Sequence, residues 1–478
     1  MDSEKDTSSS RSESAAWGGV VQPLRIGVIG GGAAALGAAW LLSQRHEVTL
    51  FERADHIGGH VNTIDIEMRK GTMAVDSGFV VFSAENYPNL RRLLAWLDVS
   101  TQTAPLSFSV SNGDQGMEFA GPSLRSLFAR KRNLLHPEFW RLLRDMARFH
   151  RQAPSFLGER NSYDFTLEDY VKREGYNPFF VENYLLPAVT AVLSAPEKNV
   201  MGFPALTMIR FFANHGFLEL GQMPVWRTVA GGAREYIRRL VAACGNGMQV
   251  LTGTRVLKVE RQIGGVKVHL NDGRTFDFDH VVIGTHANDA LDLLETPSRD
   301  EKEILGAFSY QKTVAVLHRD TALMPKDRSV WASWNYIKYG EKNRPEGREL
   351  AGKGHSITYW LNHMHAMDET DSVFLSVNPH ALPRKELIIR TFGYMHPVFD
   401  MAAIEAQRSL WRLRGADRIW FCGAYFGYGF HEDALVSGLR VAESLGVKRP
   451  WLDDLTTQAR ALDADGSGGK ADPEFRKV

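Results

Sequence analysis

The chain has 478 residues, with 56 Lys+Arg balanced by 56 Asp+Glu, 44% hydrophobic and 23% charged residues. Zero net charge lacks the basic excess that phosphate backbones select, so no nucleic acid is expected as a partner. Two cysteines, Cys244 and Cys422, exclude a disulfide framework and a multi-cysteine metal site, and they fit a reducing, cytoplasmic compartment.

Residues 1–22 are polar, with no apolar core that would read as a signal peptide, and are expected to form a disordered leader. The same composition marks 463–478 as a disordered tail. The uncharged stretch from Ile26 to Leu42 falls short of the ~20 apolar residues of a membrane span and opens on three glycines. Leu24–Ile29 reads instead as a buried strand, and Gly30-Gly31-Gly32-Ala33-Ala34-Ala35 as a G-x-G-x-x-A turn opening a helix. Gly30 allows the tight turn, and Gly32 lets the backbone approach a pyrophosphate. Ala33 and Ala34 begin the helix whose N-terminus faces that negative charge, and the small Ala35 lets helix pack on strand. HEVTLFE is the second strand. Glu52 closes it, about 20 residues on, where an acid binds the ribose hydroxyls of a dinucleotide; Arg53 beside it belongs to the same site.

Further along, residues 120–225 carry apolar residues at helical spacing. Within them, 125–152 holds eight Arg/Lys and two acids, interleaved with Leu, Phe and Trp. That pattern is either a helix lying on a membrane surface or the solvated face of a helical cap. Residues 247–284 turn to strands, with Asn271-Asp272-Gly273 as a hairpin turn and Val256 expected against the cofactor. Residues 310–380 add aromatic-rich strands, of which WASWNY and TYWLN are either the wall of an apolar tunnel or ordinary core. RIWFCGAY and EDALVSGLRVAESLG close the pattern with a strand and a helix.

Three blocks together carry a family resemblance. Glu52 followed by Gly58-Gly59-His60-Val61-Asn62-Thr63 resembles the FAD signature of the amine oxidase and phytoene desaturase superfamily. Asp76-Ser77-Gly78-Phe79-Val80 is similar to its D-x-G-F strand edge. Trp420-Phe421-Cys422-Gly423-Ala424-Tyr425, leading to Phe430-His431-Glu432-Asp433-Ala434-Leu435, resembles its C-terminal FAD motif. Within the superfamily, Leu24 to Gly446 is most similar to amine-oxidase-like flavoproteins found beside cyclopropane-fatty-acid-synthase-like methyltransferases. The resemblance implies an α/β fold: a Rossmann-type FAD domain of 23–83, 226–294 and 411–450, interwoven with a substrate domain of 84–225 and 295–410 built from a mixed sheet and a helical cap. It implies FAD held non-covalently, no cysteine standing where some oxidases attach it. Gly58, Gly59, His60, Asn62, Thr63, Gly78, Phe79, Gly423, Phe430, Glu432, Ala434 and Leu435 would contact the cofactor. It also implies a methyltransferase partner.

Amine oxidases carry a lysine near the flavin. The family register puts it at Thr313, one residue past Lys312, and a one-residue shift turns a side chain to the other sheet face; Lys312 remains a catalytic candidate. Phe430 matches one ring of the family's aromatic cage, and the second is either Tyr394 or His396. His431 and His396 are the candidate bases, since imidazole titrates in the useful range; the bland reading of each is a structural histidine. His363 and His365 have no acidic companions, so no metal site is expected. The expected reaction is removal of hydride from a C–H or C–N bond of a small-molecule or lipid substrate, with an acyl chain preferred and peripheral membrane contact through 125–152. The alternatives are an amine oxidase, a redox-neutral flavin isomerase, and a non-catalytic FAD-binding partner of a lipid methyltransferase.

Overall fold

The computed structural model describes residues 22–452 apart from 122–126, 129, 160–164, 194–199, 215, 219–224, 341–344, 346–353, 366 and 368–369. The expected tail, and the expected leader apart from residue 22, lie outside the described residues. A five-stranded sheet runs in the order Met248–Leu251, Glu47–Phe51, Arg25–Ile29, His280–Ile283, Ile419–Phe421, with every pair parallel. Its central strands are near-continuous apolar runs because both faces are covered. On one face the helix Ala33–Leu42 is buried from Ala34 to Leu42. It packs on the helix His431–Ser444 through two glycines. A Cβ on Gly438 would strike the Ala34 carbonyl, and one on Gly37 would stand 2.8 Å from Leu435 Cδ1. An antiparallel meander, Val256–Gln262, Gly265–Leu270 and Thr275–Phe278, covers the other face, and Gly273 takes the positive φ of +86° that its turn requires.

The second unit is built on a seven-stranded mixed sheet ordered Ile388–Val398, Ser309–His318, Phe374–Val377, His355–Trp360, Trp334–Lys338, Phe108–Asn112, Met117–Gly121. Only the Trp334–Lys338 and Phe108–Asn112 pair is parallel among these. Helices Pro137–Phe156, Leu167–Glu174, Leu186–Leu193 and Ala205–Asn214 form a cap over it. The cap buries Phe149, Phe156, Tyr170, Tyr176, Phe180 and Phe212 in one aromatic core. Among the described residues no helix is long and apolar enough to cross a membrane.

The buried cores divide the chain differently from the expected boundaries. Helix Pro88–Trp96 puts Leu90, Leu93 and Leu94 into the same core as the helix Ala33–Leu42, so residues 84–100 pack with the dinucleotide unit. Ile304, Leu305, Phe308, Ala403 and Leu410 likewise join the core beneath the parallel sheet. The physical reason for the first shift is a long-range cap. Half-buried Glu432 accepts the Asn89 and Leu90 backbone N–H groups at 2.8 and 2.9 Å, satisfying two orphan donors at the start of that helix.

Candidate active site

The site begins where two backbone loops touch glycine on glycine. Gly30 has φ +105°, and a Cβ there would lie 2.9 Å from the Gly284 carbonyl oxygen. The Gly58 N–H donates to the Gly31 carbonyl at 2.7 Å. Gly59, at φ +60°, would bring a Cβ within 3.1 Å of Gly32 Cα. Gly32 itself faces open space, with nothing within 4 Å of its would-be Cβ. Gly32 caps the helix Ala33–Leu42 with no side-chain hydrogen bond, so the first N–H groups of that helix are left for a ligand. Glu52 stands at the edge, its Oε2 accepting from Gly31 N at 2.6 Å and its Oε1 from Ala54 N at 2.8 Å. An open glycine floor, a bare helix N-terminus and an acid fixed at the second strand are what the pyrophosphate and ribose of a dinucleotide require. The cradle therefore fits FAD, with Val256 and Leu257 on the wall beyond Glu52.

From this cradle a cavity of about 1030 Å³ extends between the two units. That is at the top of the ~300–1,000 Å³ range of ligand sites, so it has room for an extended dinucleotide and a second molecule. Its middle is lined by His60, Tyr394, His396, Phe430 and His431. The His60 and His396 rings meet edge to face at 5.1 Å, and His60 lies 5.0 Å from Tyr394. Burial, then the neighbouring His396, pushes His60 down to about 3; burial pushes His396 down to about 4. Both are neutral imidazoles at pH 7, able to accept a proton. His396 Nδ1 is held by Thr313 Oγ1 at 3.0 Å. Tyr394 Oη accepts from Asn62 Nδ2 at 3.0 Å and pairs with Ser77 Oγ at 2.8 Å.

Beyond these groups the cavity becomes aromatic. Phe430 stacks on Phe211 at 4.6 Å, followed by Phe211–Phe217 at 6.1 Å, Phe217–Trp226 at 6.1 Å, Trp226–Trp334 at 6.5 Å and Trp334–Tyr359 at 5.7 Å. All six rings line the cavity, and the acidic residues of its described lining, Glu52, Asp289 and Asp292, lie at the dinucleotide end. Of WASWNY and TYWLN, Trp334 and Tyr359 line this cavity and also pack against the core beside it. Trp331 and Trp360 of the same stretches pack into a separate core cluster with Met324 and Phe374.

The structure brings most of the expected residues to one cavity: Gly30, Gly32, Ala33, Ala34, Glu52, Arg53, Gly58, Gly59, His60, Asn62, Gly78, Phe79, Val256, Gly423, Phe430 and Ala434, with His396 and His431. Five others lie outside its lining. Ala35 is buried against Gly284 under the loop. Thr63 donates to buried Asp76 at 2.5 Å and accepts from Arg234 N at 3.0 Å, tying the first hairpin to the Gly231-Gly232 turn. Glu432 caps the helix Pro88–Trp96, and Leu435 packs on Gly37. Lys312 is exposed on the sheet face opposite Thr313, the outcome that a one-residue register shift dictates. His431 reaches the cavity wall, but its Nε2 is engaged with the Tyr236 hydroxyl at 2.6 Å and its ring stacks on Phe79 at 4.0 Å, the two planes nearly parallel. Burial drives it down to about 3. That hydrogen bond occupies the Nε2 of His431. His363 stacks on Trp360, and among the described residues no cluster of His, Cys, Asp or Glu is placed to hold a metal.

Sequence reasoning missed Phe211, Phe217, Trp226 and His286. His286 had a readable signal, since it follows the strand His280–Ile283 at the carboxyl edge of a parallel sheet, where ligands bind. Phe211 and Phe217 had none, because helical spacing in a cap says core and not which core.

Comparison with known proteins agrees with this geometry. The flavin containing amine oxidoreductase family matches residues 36–321. No curated protein matches the chain in sequence. Solved structures with the same fold include a CLA-producing fatty acid isomerase from P. acnes, at 15% identity and a TM-score of 0.62, covering 89% of this chain and 99% of that one. They include putrescine oxidase bound to putrescine and cyclohexylamine oxidase from Brevibacterium oxydans IH-35A. Each has 14% identity and a TM-score of 0.61, covering 88% of this chain and 99% of its own.

Proposed function

Because the chain belongs to the flavin-containing amine oxidoreductase family and is an FAD-dependent oxidoreductase, we propose that it oxidises the acyl chain of a lipid. The observation that carries this reading is the unbroken line of six aromatic rings from Phe430 to Tyr359, with the acids of the lining all at the dinucleotide end. An apolar chain laid along those rings gains roughly 0.8 kcal/mol per methylene removed from water. Bound FAD supplies the two-electron acceptor. The protein's own groups orient and deprotonate. The rings align the chain and exclude water, Thr313 fixes the His396 ring, and the neutral His60–His396 pair takes the proton released with hydride. Negative charge on a bound dinucleotide raises those imidazole pKa values from their depressed level toward the working range. The amine alternative needs an open ring pair and a nearby lysine. Phe211 covers one face of Phe430, and Lys312 faces away. A fold neighbour that is a fatty acid isomerase supports the acyl reading by analogy alone.

A lipid surface is the proposed source of the substrate. Leu135 is 84% exposed and Trp140 51% exposed at the start of the cap helix Pro137–Phe156, alongside exposed Leu134, Lys131, Arg141 and Arg144. Large apolar tips ringed by cations match the headgroup–acyl boundary of an anionic bilayer. The same helix packs on Ala205–Asn214, which carries the cavity residue Phe211.

The test is anaerobic absorbance of FAD-loaded protein mixed with oleoyl phospholipid vesicles or with simple amines. Bleaching of the flavin bands by lipid is the expected result. Bleaching by amines alone, with lipid inert, overturns the acyl reading in favour of an amine oxidase.

A further inference from the structure

A second, smaller cleft of about 140 Å³ lies on the far side of the loop that closes the flavin cavity. One wall is the helix His431–Ser444, through Asp433, Arg440 and Val441. The other is the turn Leu410–Leu413 with Trp411 and Arg414. The loop between Gly423 and Phe430 separates the two spaces: Phe426, Gly427 and Tyr428 face the cleft, whereas Ala424, Tyr425 and Gly429 face the cavity.

The lining of this cleft carries two guanidinium groups, Arg414 and Arg440, against one carboxylate, Asp433, among the described residues. Neither the Arg414 nor the Arg440 guanidinium makes a hydrogen bond or ion pair with a described residue. The carboxylates that could neutralise Arg440 are committed elsewhere. Glu443 grips Arg449 through two bonds at 2.5 and 2.8 Å. Asp433, which also lines the cleft, accepts from Tyr428 N at 2.9 Å and Phe430 N at 3.0 Å through Oδ2. Burial, followed by the nearby Arg449 and Arg414 charges, pushes the Arg440 pKa down. Glu443 and Asp433 oppose that shift without bonding the guanidinium, which leaves a partly buried cation with no hydrogen-bonded carboxylate among the described residues. Tyr428 and Trp411 add neutral donors, while Leu410, Leu413, Phe426 and Val436 give apolar walls.

We propose that this cleft binds an organic oxyanion, a carboxylate or phosphate on a short apolar stem, through Arg414 and Arg440. Guanidinium forks suit planar or tetrahedral oxyanions, and the apolar walls favour a ligand with a hydrocarbon stem over a bare inorganic ion. An occupant would touch Phe426 and Tyr428, on the loop whose other side faces the flavin cavity. The proposal does not depend on which substrate that cavity takes.

Isothermal titration of the FAD-loaded protein with hexanoate, inorganic phosphate and hexan-1-ol decides it. Saturable heat with hexanoate and none with hexan-1-ol is expected; a response to phosphate as well would assign the site to oxyanions generally, and its absence to stemmed anions. Arg440→Gln and the exposed Arg414→Gln are each expected to weaken hexanoate about 10-fold or more, the scale of one charge-assisted hydrogen bond. Arg414→Gln decides the matter if Arg440→Gln fails to fold. The proposal fails if no anion saturates, or if hexanoate binds Arg414→Gln as tightly as the parent, as it would from inside the larger cavity.

Discussion

Gly32 shows what a single residue does here. Its φ of −80° suits any side chain, yet its would-be Cβ meets only open space above the helix N-terminus. Gly32→Val therefore leaves the backbone unstrained and fills the cradle. The expected outcome is a folded protein with the parent's apo melting temperature and no flavin absorbance after FAD is added. Uptake of FAD at parental affinity would remove the pyrophosphate from this loop. Thr313 and Lys312 form a matched pair for a second test. Thr313→Val deletes the bond that fixes His396, and is expected to lower kcat about 3- to 10-fold and shift the acid limb of the pH–rate profile, as loss of one neutral hydrogen bond allows. Lys312→Met, on the outer face, is expected to change neither. A large effect at Lys312 with none at Thr313 would reverse the facing of this strand.

At the scale of elements, Glu432 joins two helices that are far apart in sequence. Its carboxylate caps Pro88–Trp96 from the first turn of His431–Ser444, and Asn89, bonded to it, also accepts from Arg449 Nη1 and Trp451 Nε1. Glu432→Ala strands buried N–H groups, and is expected to destabilise the fold by about 1–3 kcal/mol in denaturant melts. A change within about 0.5 kcal/mol would show that water replaces the carboxylate freely. The cap helix Pro137–Phe156 presents the opposite case, an element with one face in the core and apolar tips outside it. Vesicle flotation is expected to recover the protein with anionic but not zwitterionic vesicles, and Leu135→Glu with Trp140→Glu to reduce that recovery severalfold. Equal recovery of parent and variant would place the contact elsewhere.

For the whole molecule, buried histidines set the response to acid. His60 and His431 are lowered to about 3, and His318, His355, His365 and His396 to about 4, in each case chiefly by burial. In the unfolded chain each would protonate near 6.5. Below that pH the unfolded state binds more protons than the folded one, so these groups stabilise fully above pH 6.5 and progressively less toward pH 4. Asp76 and Asp433, raised to about 6 by burial, act in the opposite sense, becoming less costly as pH falls from about 6 toward 3.8. Six imidazoles against two carboxylates predict a net fall in melting temperature between pH 6.5 and 4. A flat or rising profile over that range would mean these histidines are hydrated.

The dinucleotide half of the site was legible from residue spacing alone. Gly30, Gly32, Glu52 and the Gly58-Gly59 pair act through backbone geometry, turn conformation and helix N-termini, which are local and leave a pattern in spacing. The strands were legible too, since periodicity reports which faces are buried. Three features depend on packing between distant segments. Lys312 and Thr313 differ by sheet face, and a register fixed across to Met395 and Tyr394 settles which one points inward. Glu432 and Thr63 carry motif positions yet bond distant backbone, because a half-buried carboxylate or hydroxyl goes to whichever donors or acceptors the packing leaves orphaned. The aromatic wall of the cavity draws Phe211 and Phe217 from the cap, Trp226 from the connecting strand, and Trp334 and Tyr359 from the sheet. That wall exists only when those segments pack together, since apolar burial is non-directional and sequence periodicity cannot say which buried rings will share a cavity.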